Sequence, residues 1–483
     1  MALEYDLVII GATAAARTAA IEAVNLQARV ALILPQPWAP AQSDFYPNAL
    51  AQIAKSSRSS RSPLQSPSSY PWQYARLADD RIQQQSSPAL LAAMGVDLIV
   101  GRGEFCSRPQ LAFKINQRCL RARHYLMATG SVASEAQIPG LQAAGYLTID
   151  RLSRIGDGQI PLRWAIIGSE TIGVELAQTL ARLGCQVKLI VETAQLLPYE
   201  DRSRRGENLS PIQAQLEADG VQVYLNTIVR EVTLKDTCKV LTLSGEYFGI
   251  DDPGESIDVD EILIALPERP LLESFNLDGV GVDYTDKGIS VNNKLQTSHR
   301  QIYACGNVCG NVQGGYQHQS LSEYEAKIAV QNSRSWRKTK INYRNYNQLP
   351  WVVYTDPPLA RVGMRISWAK DEIFENNMIL QTHFKNCPQA IIENITSGYC
   401  QIIVTRSGQI LGAEIIGQNA PELIQILAIA IQQKLKIAEL TAFPCSSPSY
   451  TEVIYQATQE WHTYDRAQHQ NHPSWLSRLR WWR

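Results

Sequence analysis

Two glycine turns in the sequence have the spacing at which a polypeptide can bind a phosphate group. Each turn follows a short β-branched run and precedes a helical segment: Gly11-Ala-Thr-Ala-Ala-Ala16 and Gly168-Ser-Glu-Thr-Ile-Gly173. Backbone N–H groups at the start of such a helix bind phosphate oxygens, and a glycine at the third position lets the backbone approach. That position holds Thr13 in the first turn and Glu170 in the second. The turns therefore predict two nucleotide-type folds, the first with a phosphate site narrowed by a side chain and the second with a phosphate site opposed by a negative charge.

Thiols and imidazoles offer few other chemical sites. The nine cysteines and seven histidines show no metal-ligand spacing, so we predict no metal site. Cys305 and Cys309 are a candidate redox pair, although an offset of four residues at a strand-to-helix junction does not by itself bring two sulfurs together. Cys445 is a candidate reactive thiol, with an inert cysteine as the alternative.

Both glycine turns lie within β-α-β units. The hydrophobic periodicity changes from a strand to a helix and back to a strand on either side of each glycine, and two such units predict two doubly wound parallel sheets. The predicted strands and helices span residues 5–10, 14–28, 28–34, 163–167, 171–183 and 186–191.

The chain changes character from about Tyr346. Strand runs are followed by a strongly apolar helix, which indicates a third, α+β domain. We expect the serine-rich segment 56–69 to be a surface loop and the tail Trp475–Arg483, with tryptophans beside arginines, to be a docking segment or to pack on its own domain. The predicted elements of the third domain span residues 351–354, 401–405, 409–416 and 421–435.

Composition limits the partners. The 483 residues suggest about three domains. With 45 Lys+Arg against 46 Asp+Glu, the chain has no overall field that would attract a nucleic acid. Its apolar runs are shorter than the about 18–20 residues that span a bilayer, and its start lacks the basic region of a signal peptide. We therefore expect a cytoplasmic protein, with a peripheral membrane position through the tail as the alternative.

The order of the motifs resembles the dihydrolipoamide dehydrogenase, glutathione reductase and mercuric reductase family, the class I pyridine nucleotide-disulfide oxidoreductases. The resemblance covers nearly all of residues 1–462. Besides the turn at Gly11, its landmarks are Ala128-Thr-Gly-Ser131, Gly168 through Glu175, Ile302-Tyr-Ala-Cys-Gly306, Tyr354-Thr-Asp-Pro357 and Leu411-Gly-Ala-Glu-Ile-Ile-Gly417.

The resemblance implies an α/β architecture with two Rossmann-type dinucleotide domains and a C-terminal α+β dimerisation domain. It also implies a homodimer, because in this family each active site is shared between two subunits. The implied divisions are an FAD-type domain at 1–150, an NAD(P)H-type domain at 151–272, a return to the FAD domain at 273–345, a dimerisation domain at 346–462 and a basic, Trp-rich tail at 463–483.

The catalytic residues of the resembling family are largely replaced. Its redox disulfide, Cys-x-x-x-x-Cys, corresponds to residues 38–50, which contain no cysteine. Its catalytic histidine aligns with Ser447, whose hydroxyl does not exchange a proton near neutral pH as an imidazole does. Glu175 and Glu452 match family glutamates and remain as remnants of the site, or as ordinary surface or capping residues.

The resemblance also identifies candidate FAD contacts, and it places several substitutions among them. The second strand ends in Leu34-Pro35 instead of an acid, and Asn307 stands where the family has an aspartate near the flavin ribityl chain. The implied FAD contacts are Gly11, Thr13, Ala16, Ala128, Thr129, Gly130, Gly306, Asn307 and His318.

The second turn would contact NAD(P)H through Gly168, Gly173 and Glu192, but Glu170 opposes a pyrophosphate there. Two unit charges about 4 Å apart repel by about 1 kcal/mol in water and about 4 kcal/mol at an effective dielectric constant of 20. We therefore predict that NAD(P)H binding is unfavourable.

Two functions agree with this pattern. The first is a flavoprotein oxidoreductase that keeps FAD, uses no disulfide and passes electrons to another acceptor. The second is a catalytically inactive pseudoenzyme, a dimeric scaffold for a protein partner or a membrane surface. Flavin bound to the purified protein would distinguish them.

Overall fold

The predicted alternation of strands and helices is present in the computed structural model. The structure describes residues 3–35, 45–59, 69–155, 160–197, 211–245, 255–310, 319–334, 344–366, 377–442 and 444–471. His318, residues 60–68 of the serine-rich segment and the tail from residue 475 lie outside these ranges. Among the described residues, those up to Arg344 form one compact unit and those from Asn345 form a second. Within these ranges, no helix is long and apolar enough to cross a membrane.

The first unit contains two parallel sheets and several small antiparallel ones. Its strands are β1 (Tyr5–Ile10), β2 (Val30–Leu34), β3 (Asp97–Val100), β4 (Gly103–Cys106), β5 (Ala112–Ile115), β6 (Arg118–Leu120), β7 (Ala122–Met127), β8 (Ser131–Val132), β9 (Leu147–Thr148), β10 (Arg163–Ile167), β11 (Gln186–Ile190), β12 (Gln222–Tyr224), β13 (Thr227–Lys235), β14 (Cys238–Gly245), β15 (Ser256–Val259), β16 (Glu261–Ile264), β17 (Arg269–Pro270), β18 (Tyr284–Thr285), β19 (Gly288–Ile289) and β20 (Ile302–Ala304). Its helices are α1 (Ala14–Asn25), α2 (Phe45–Ser59), α3 (Tyr70–Gln84), α4 (Pro88–Ala93), α5 (Leu141–Ala144), α6 (Thr171–Arg182), α7 (Pro211–Ala218) and α8 (Gln319–Arg334).

The first parallel sheet has the strand order β20-β7-β1-β2-β3. Strand β1 is central because its side chains are buried along almost the whole strand. Helix α1 packs beside it through small side chains, which allow a helix to approach a sheet closely; the buried ones are Ala15, Ala16, Ala19, Ala20 and Ala23. Strands β2 and β3 lie on one side of β1, and the later strands β7 and β20 lie on the other. The carboxyl ends of β1 and β7 therefore form a topological switch point, where such sheets bind ligands.

The second parallel sheet has the order β12-β11-β10-β16-β9 and repeats this arrangement around β10. In both sheets, a glycine after the central strand lies very close to the backbone of another chain segment. A Cβ atom on Gly11 would lie 2.1 Å from the carbonyl oxygen of Ala128, and one on Gly168 would lie 2.1 Å from that of Ala265. Both glycines also have a positive φ, of +136° and +139°. The two dinucleotide-type folds predicted from the sequence are confirmed.

Helix ends differ from the predicted ones by a few residues. The first helix was expected to reach Ala28 but ends at Asn25, because Gln27 adopts φ +60°. A left-handed residue cannot continue a right-handed helix. The helix of the second unit that was expected to reach Leu435 ends at Gln432, and Lys434 has φ +55°.

The expectation of a loop over the whole serine-rich segment is wrong for its first residues. Helix α2 continues to Ser59. The hydroxyl of Ser56 donates a hydrogen bond of 2.8 Å to the carbonyl of Ile53, so this polar side chain is satisfied within the helix. Polar composition alone does not end a helix whose other face, including Leu50 and Ala54, is buried.

The second unit is an antiparallel sheet with helices, as expected for the α+β domain. The strands are β21 (Trp351–Val353), β22 (Leu359–Gly363), β23 (Asn377–His383), β24 (Tyr399–Thr405) and β25 (Ile410–Ile416), and the helices are α9 (Pro388–Ile392), α10 (Ala420–Gln432), α11 (Ile437–Thr441) and α12 (Glu452–Asn471). The sheet order is β21-β22-β25-β24-β23. The apolar side chains of α10 pack with those of the sheet in a single hydrophobic core.

The close approach of the Ala265 carbonyl to Gly168 predicts that a single added methyl group strongly destabilises the fold. We expect Gly168→Ala to abolish soluble folding or lower the thermal unfolding midpoint sharply, because the Cβ atom would overlap the Ala265 carbonyl oxygen. Gly220→Ala is the matched control in the same fold: its φ is +93°, but no atom of the described residues lies within 4 Å of a Cβ there. That variant should cost only the about 1–2 kcal/mol of a left-handed alanine. Equal unfolding midpoints for the two variants would contradict this interpretation.

Candidate functional site

Thr13 lies at the switch point of the first sheet and forms the N-cap of α1. Its hydroxyl accepts a hydrogen bond of 3.2 Å from the N–H of Ala16 and donates one of 2.8 Å to the carbonyl of Ala128. A Cβ on Gly130 would lie 2.7 Å from the Thr13 methyl carbon. Thr13 thus occupies space at the start of α1 and engages one of the N–H groups that a pyrophosphate would use. The narrowing of the phosphate site by Thr13 stays a prediction.

Arg17 was missed in the sequence analysis, although it directly follows the last position of the glycine turn. It lies in the first turn of α1, and its Nη1 atom is 3.4 Å from the carbonyl of Ala12. Burial lowers the pKa of the guanidinium, and the nearby carboxylates of Glu323 and Asp79 oppose that shift. A half-buried cation therefore lies beside the helix start, where a phosphate would be stabilised.

The segment 128–131 is hydrogen-bonded to the chain that leaves the second sheet. The Thr129 hydroxyl donates to the Leu271 carbonyl over 2.9 Å, and the Leu271 N–H donates to the Gly130 carbonyl over 3.0 Å. Strand β8 pairs with β17, which places Pro270 opposite Ser131. The candidate FAD residues Thr129 and Gly130 are therefore held by backbone of the second dinucleotide-type fold, the one built around β10.

Four polar side chains meet beside this junction, and we call them the Glu268 cluster: Ser131, Glu268, Asn307 and Ser322. The Asn307 amide donates to Ser131 Oγ over 3.0 Å and to Glu268 Oε2 over 3.4 Å. Ser131 Oγ donates in turn to Glu268. Ser322 Oγ donates to Asn307 Oδ1 over 3.5 Å. The sequence identifies Asn307 but not Glu268 as a candidate, because no local pattern of residues signals this long-range contact.

A buried carboxylate on α8 fixes the turn that carries Asn307. Gly306 N–H donates a hydrogen bond of 2.7 Å to Glu325 Oε2 on α8, and Glu325 is only 2% exposed. Burial, aided by the Glu325 carboxylate, raises the pKa values of Cys305 and Cys309 well above the usual range. The two thiols also pack in different hydrophobic clusters. These features argue against a redox pair, which needs an accessible thiolate.

The second glycine turn has Glu170 at the N-cap of α6, in extended backbone conformation and half-buried. Gly173 faces the sheet, because a Cβ there would lie 3.0 Å from the side chain of Ala265. Glu175 is buried on the same helix, with 6% exposure, whereas Glu192 is exposed just after β11. A negative side chain therefore stands at the start of the helix whose N–H groups would bind a pyrophosphate.

The C-terminal remnants lie in the second unit. Glu452 Oε1 accepts a hydrogen bond of 3.0 Å from the N–H of Ser449, so the carboxylate caps the start of α12. Ser447 is exposed. Cys445 Sγ lies 3.3 Å from the hydroxyl of Thr451. Glu452 thus has the capping role that the sequence left open as an alternative to a catalytic one.

Two family models match most of the chain. Residues 5–326 match the pyridine nucleotide-disulphide oxidoreductase model, and residues 349–458 match the model of the dimerisation domain of the same family. The second match supports the expected homodimer.

Individual proteins agree with these models. The mercuric reductase of Staphylococcus aureus is 26% identical over 452 residues, which cover 91% of this chain and 79% of that protein. The dihydrolipoyl dehydrogenase of Bacillus subtilis (strain 168) is 28% identical over 366 residues, which cover 75% of each protein.

Solved structures share the fold. The HOCl-induced flavoprotein disulfide reductase RclA from Escherichia coli superposes with a TM-score of 0.78 at 22% identity, covering 94% of this chain and 99% of that one. LpdA from Mycobacterium tuberculosis gives a TM-score of 0.81 at 20% identity, with the same coverage of 94% and 99%. Because the two family models also match in the order that the fold requires, the chain belongs to the pyridine nucleotide-disulphide oxidoreductase family, whose members depend on FAD.

Proposed function

We propose that this protein is a flavoprotein oxidoreductase that binds FAD in its first fold and does not reduce disulfides through a cysteine pair of its own. One observation carries the proposal: residues 38–50, which align with the redox disulfide of the family, contain no cysteine, and the first cysteine of the sequence is Cys106. Without a thiolate beside the flavin, no mixed disulfide with a substrate can form. The acceptors that remain are those that take electrons from a flavin directly, such as a quinone, a metal ion or oxygen.

The proton chemistry supports the same conclusion. Ser447 replaces the histidine that serves as acid and base in the resembling family, and a hydroxyl does not titrate near neutral pH. Glu452, which would orient that histidine, caps a helix instead. These replacements are compatible with a reaction in which no proton has to be delivered to a thiolate leaving group.

The first fold retains backbone that fits FAD. Gly11 turns the chain at the switch point, Glu325 fixes the Gly306 turn, and Arg17 offers a cation beside the start of α1. Gly11, Ala16, Ala128, Thr129, Gly130 and Asn307 would then line the cofactor as the resemblance implies. When bound, FAD supplies the electron-transfer chemistry, and the chain binds and orients it.

The inactive scaffold remains a second candidate because of Thr13 and Glu170. The Thr13 hydroxyl engages the Ala16 N–H, and Glu170 stands at the start of α6. Both features weaken phosphate binding, which a scaffold would tolerate. The docking surface would then be the tail Trp475–Arg483, which lies outside the described residues.

The purified protein provides the most direct test. We expect an absorbance spectrum with about one flavin per chain, because the backbone of the first fold fits FAD. We also expect lipoamide and glutathione disulfide to be reduced far more slowly than the about 10 s⁻¹ typical of enzymes. A colourless dimer that takes up no added FAD would favour the scaffold. Rapid disulfide reduction would contradict the proposal itself.

Replacing Thr13 tests whether its side chain limits cofactor binding. In Thr13→Gly the Ala16 N–H is released for a phosphate oxygen, and a hydrogen bond to a charged group contributes about 1.5–3 kcal/mol. We therefore expect FAD to bind at least about tenfold more tightly in fluorescence titrations of the flavin-free protein. The matched control is Ser87→Gly, which removes an N-cap hydroxyl from α4 and should leave FAD affinity unchanged. Unaltered affinity in Thr13→Gly would show that Thr13 does not restrict the site.

Replacing Glu170 tests the nicotinamide site. We expect Glu170→Gln to strengthen NADH binding because it removes the negative charge from the start of α6, and Glu170→Gly to strengthen it further because the backbone can then approach the pyrophosphate. Binding is measured by NADH fluorescence. Glu231→Gln removes an exposed carboxylate from β13 of the same fold and serves as the control. Equal NADH affinity in all four proteins would rule out Glu170 as the obstacle.

A further inference from the structure

The Glu268 cluster lies where a ligand of the first fold would be bound. Ser131 follows β7, and Asn307 follows β20 of the same parallel sheet. Ligands of such sheets bind beyond the carboxyl ends of the strands. Glu268 comes from a different place, the chain that leaves β16 of the second sheet. The second fold therefore contributes a carboxylate to the site of the first.

Hydrogen bonds orient this carboxylate. Asn307 donates to Ser131, and Ser131 donates to Glu268, so the three side chains form a directed chain that ends on a carboxylate oxygen. The Asn307 amide also reaches Glu268 directly, over 3.4 Å. A carboxylate of this kind is a strong acceptor with several lone pairs, and it favours ligand hydroxyl groups while repelling phosphates.

We propose that Glu268 is a specificity-determining residue that accepts hydrogen bonds from the hydroxyl groups of the flavin ribityl chain. In this arrangement Glu268 supplies the negative charge, and Asn307 acts as a positioning residue that supplies an amide. The assignment rests on the proposed binding of FAD and adds a residue from the second fold to that site.

The two ends of the site then have opposite charge. Arg17 and the N–H groups of α1 provide a positive end that suits the pyrophosphate. The Glu268 cluster provides a negative end that suits a neutral, hydroxyl-bearing chain. This polarity orients the cofactor in one direction and disfavours a ligand with phosphates at both ends.

A double-mutant cycle tests the assignment with Glu268→Gln, Asn307→Asp and the double variant. Glu268→Gln should weaken FAD and riboflavin by about tenfold, the loss expected for a charge-assisted hydrogen bond, and leave ADP unchanged. Asn307→Asp places two carboxylates side by side and should weaken both flavins as well. The double variant carries one charge again and should recover affinity to within about threefold of the original protein. Glu273→Gln is the control, because this exposed carboxylate of the same segment pairs with Arg269.

Thermal unfolding of the flavin-free variants provides a readout that does not depend on the cofactor. Asn307→Asp should lower the unfolding midpoint at pH 8, and the double variant should recover it, because adjacent like charges repel. If the original protein binds FAD and Glu268→Gln binds it equally well, the assignment is overturned while the proposed function stands. If the original protein binds no flavin at all, the proposed function fails, and the assignment fails with it.

Discussion

The close passage of two backbone segments at the end of a central strand is the constraint on which both nucleotide-type folds depend. At Gly11 and at Gly168 the chain runs so near the carbonyl of a neighbouring segment that a Cβ atom would lie 2.1 Å from its oxygen. The contact brings together the ends of strands that are far apart in sequence, and the helix that follows points its N–H groups at the resulting crevice. The strand order, the crevice and the candidate site all follow from this approach.

A polar side chain stands at the start of the helix that follows each of these glycines. Thr13 directs its hydroxyl back to the protein, where it caps α1 and contacts the Ala128 carbonyl. Such a contact stabilises the turn without a ligand, so the first fold does not need a phosphate to satisfy that N–H group. Glu170 places a negative group at the equivalent point of the second fold. The same architecture thus places a threonine hydroxyl at the start of one helix and a carboxylate at the start of the other.

The two folds are not independent in the first unit. Strands β8 and β17 pair, Leu271 bonds to Gly130, and Thr129 bonds to Leu271, which ties the segment 128–131 to the second fold. Glu268 belongs to this junction. A change in the second fold can therefore alter the polar surroundings of Asn307 through short hydrogen bonds and needs no large motion.

The sequence by itself determined the fold class and both β-α-β units, because these follow from local periodicity and glycine spacing. Residue identity alone shows that residues 38–50 contain no cysteine and that residue 447 is a serine. It also located Thr13, Glu170 and Asn307. Only the tertiary structure decided that the Glu452 carboxylate accepts a hydrogen bond from the Ser449 N–H, that α2 continues into the serine-rich segment, and that Cys305 and Cys309 lie in separate hydrophobic clusters. It alone brought Glu268 to Asn307, 39 residues away along the chain. A contact between segments that follow strands of two different sheets depends on how the sheets are joined, and no local pattern of residues encodes that.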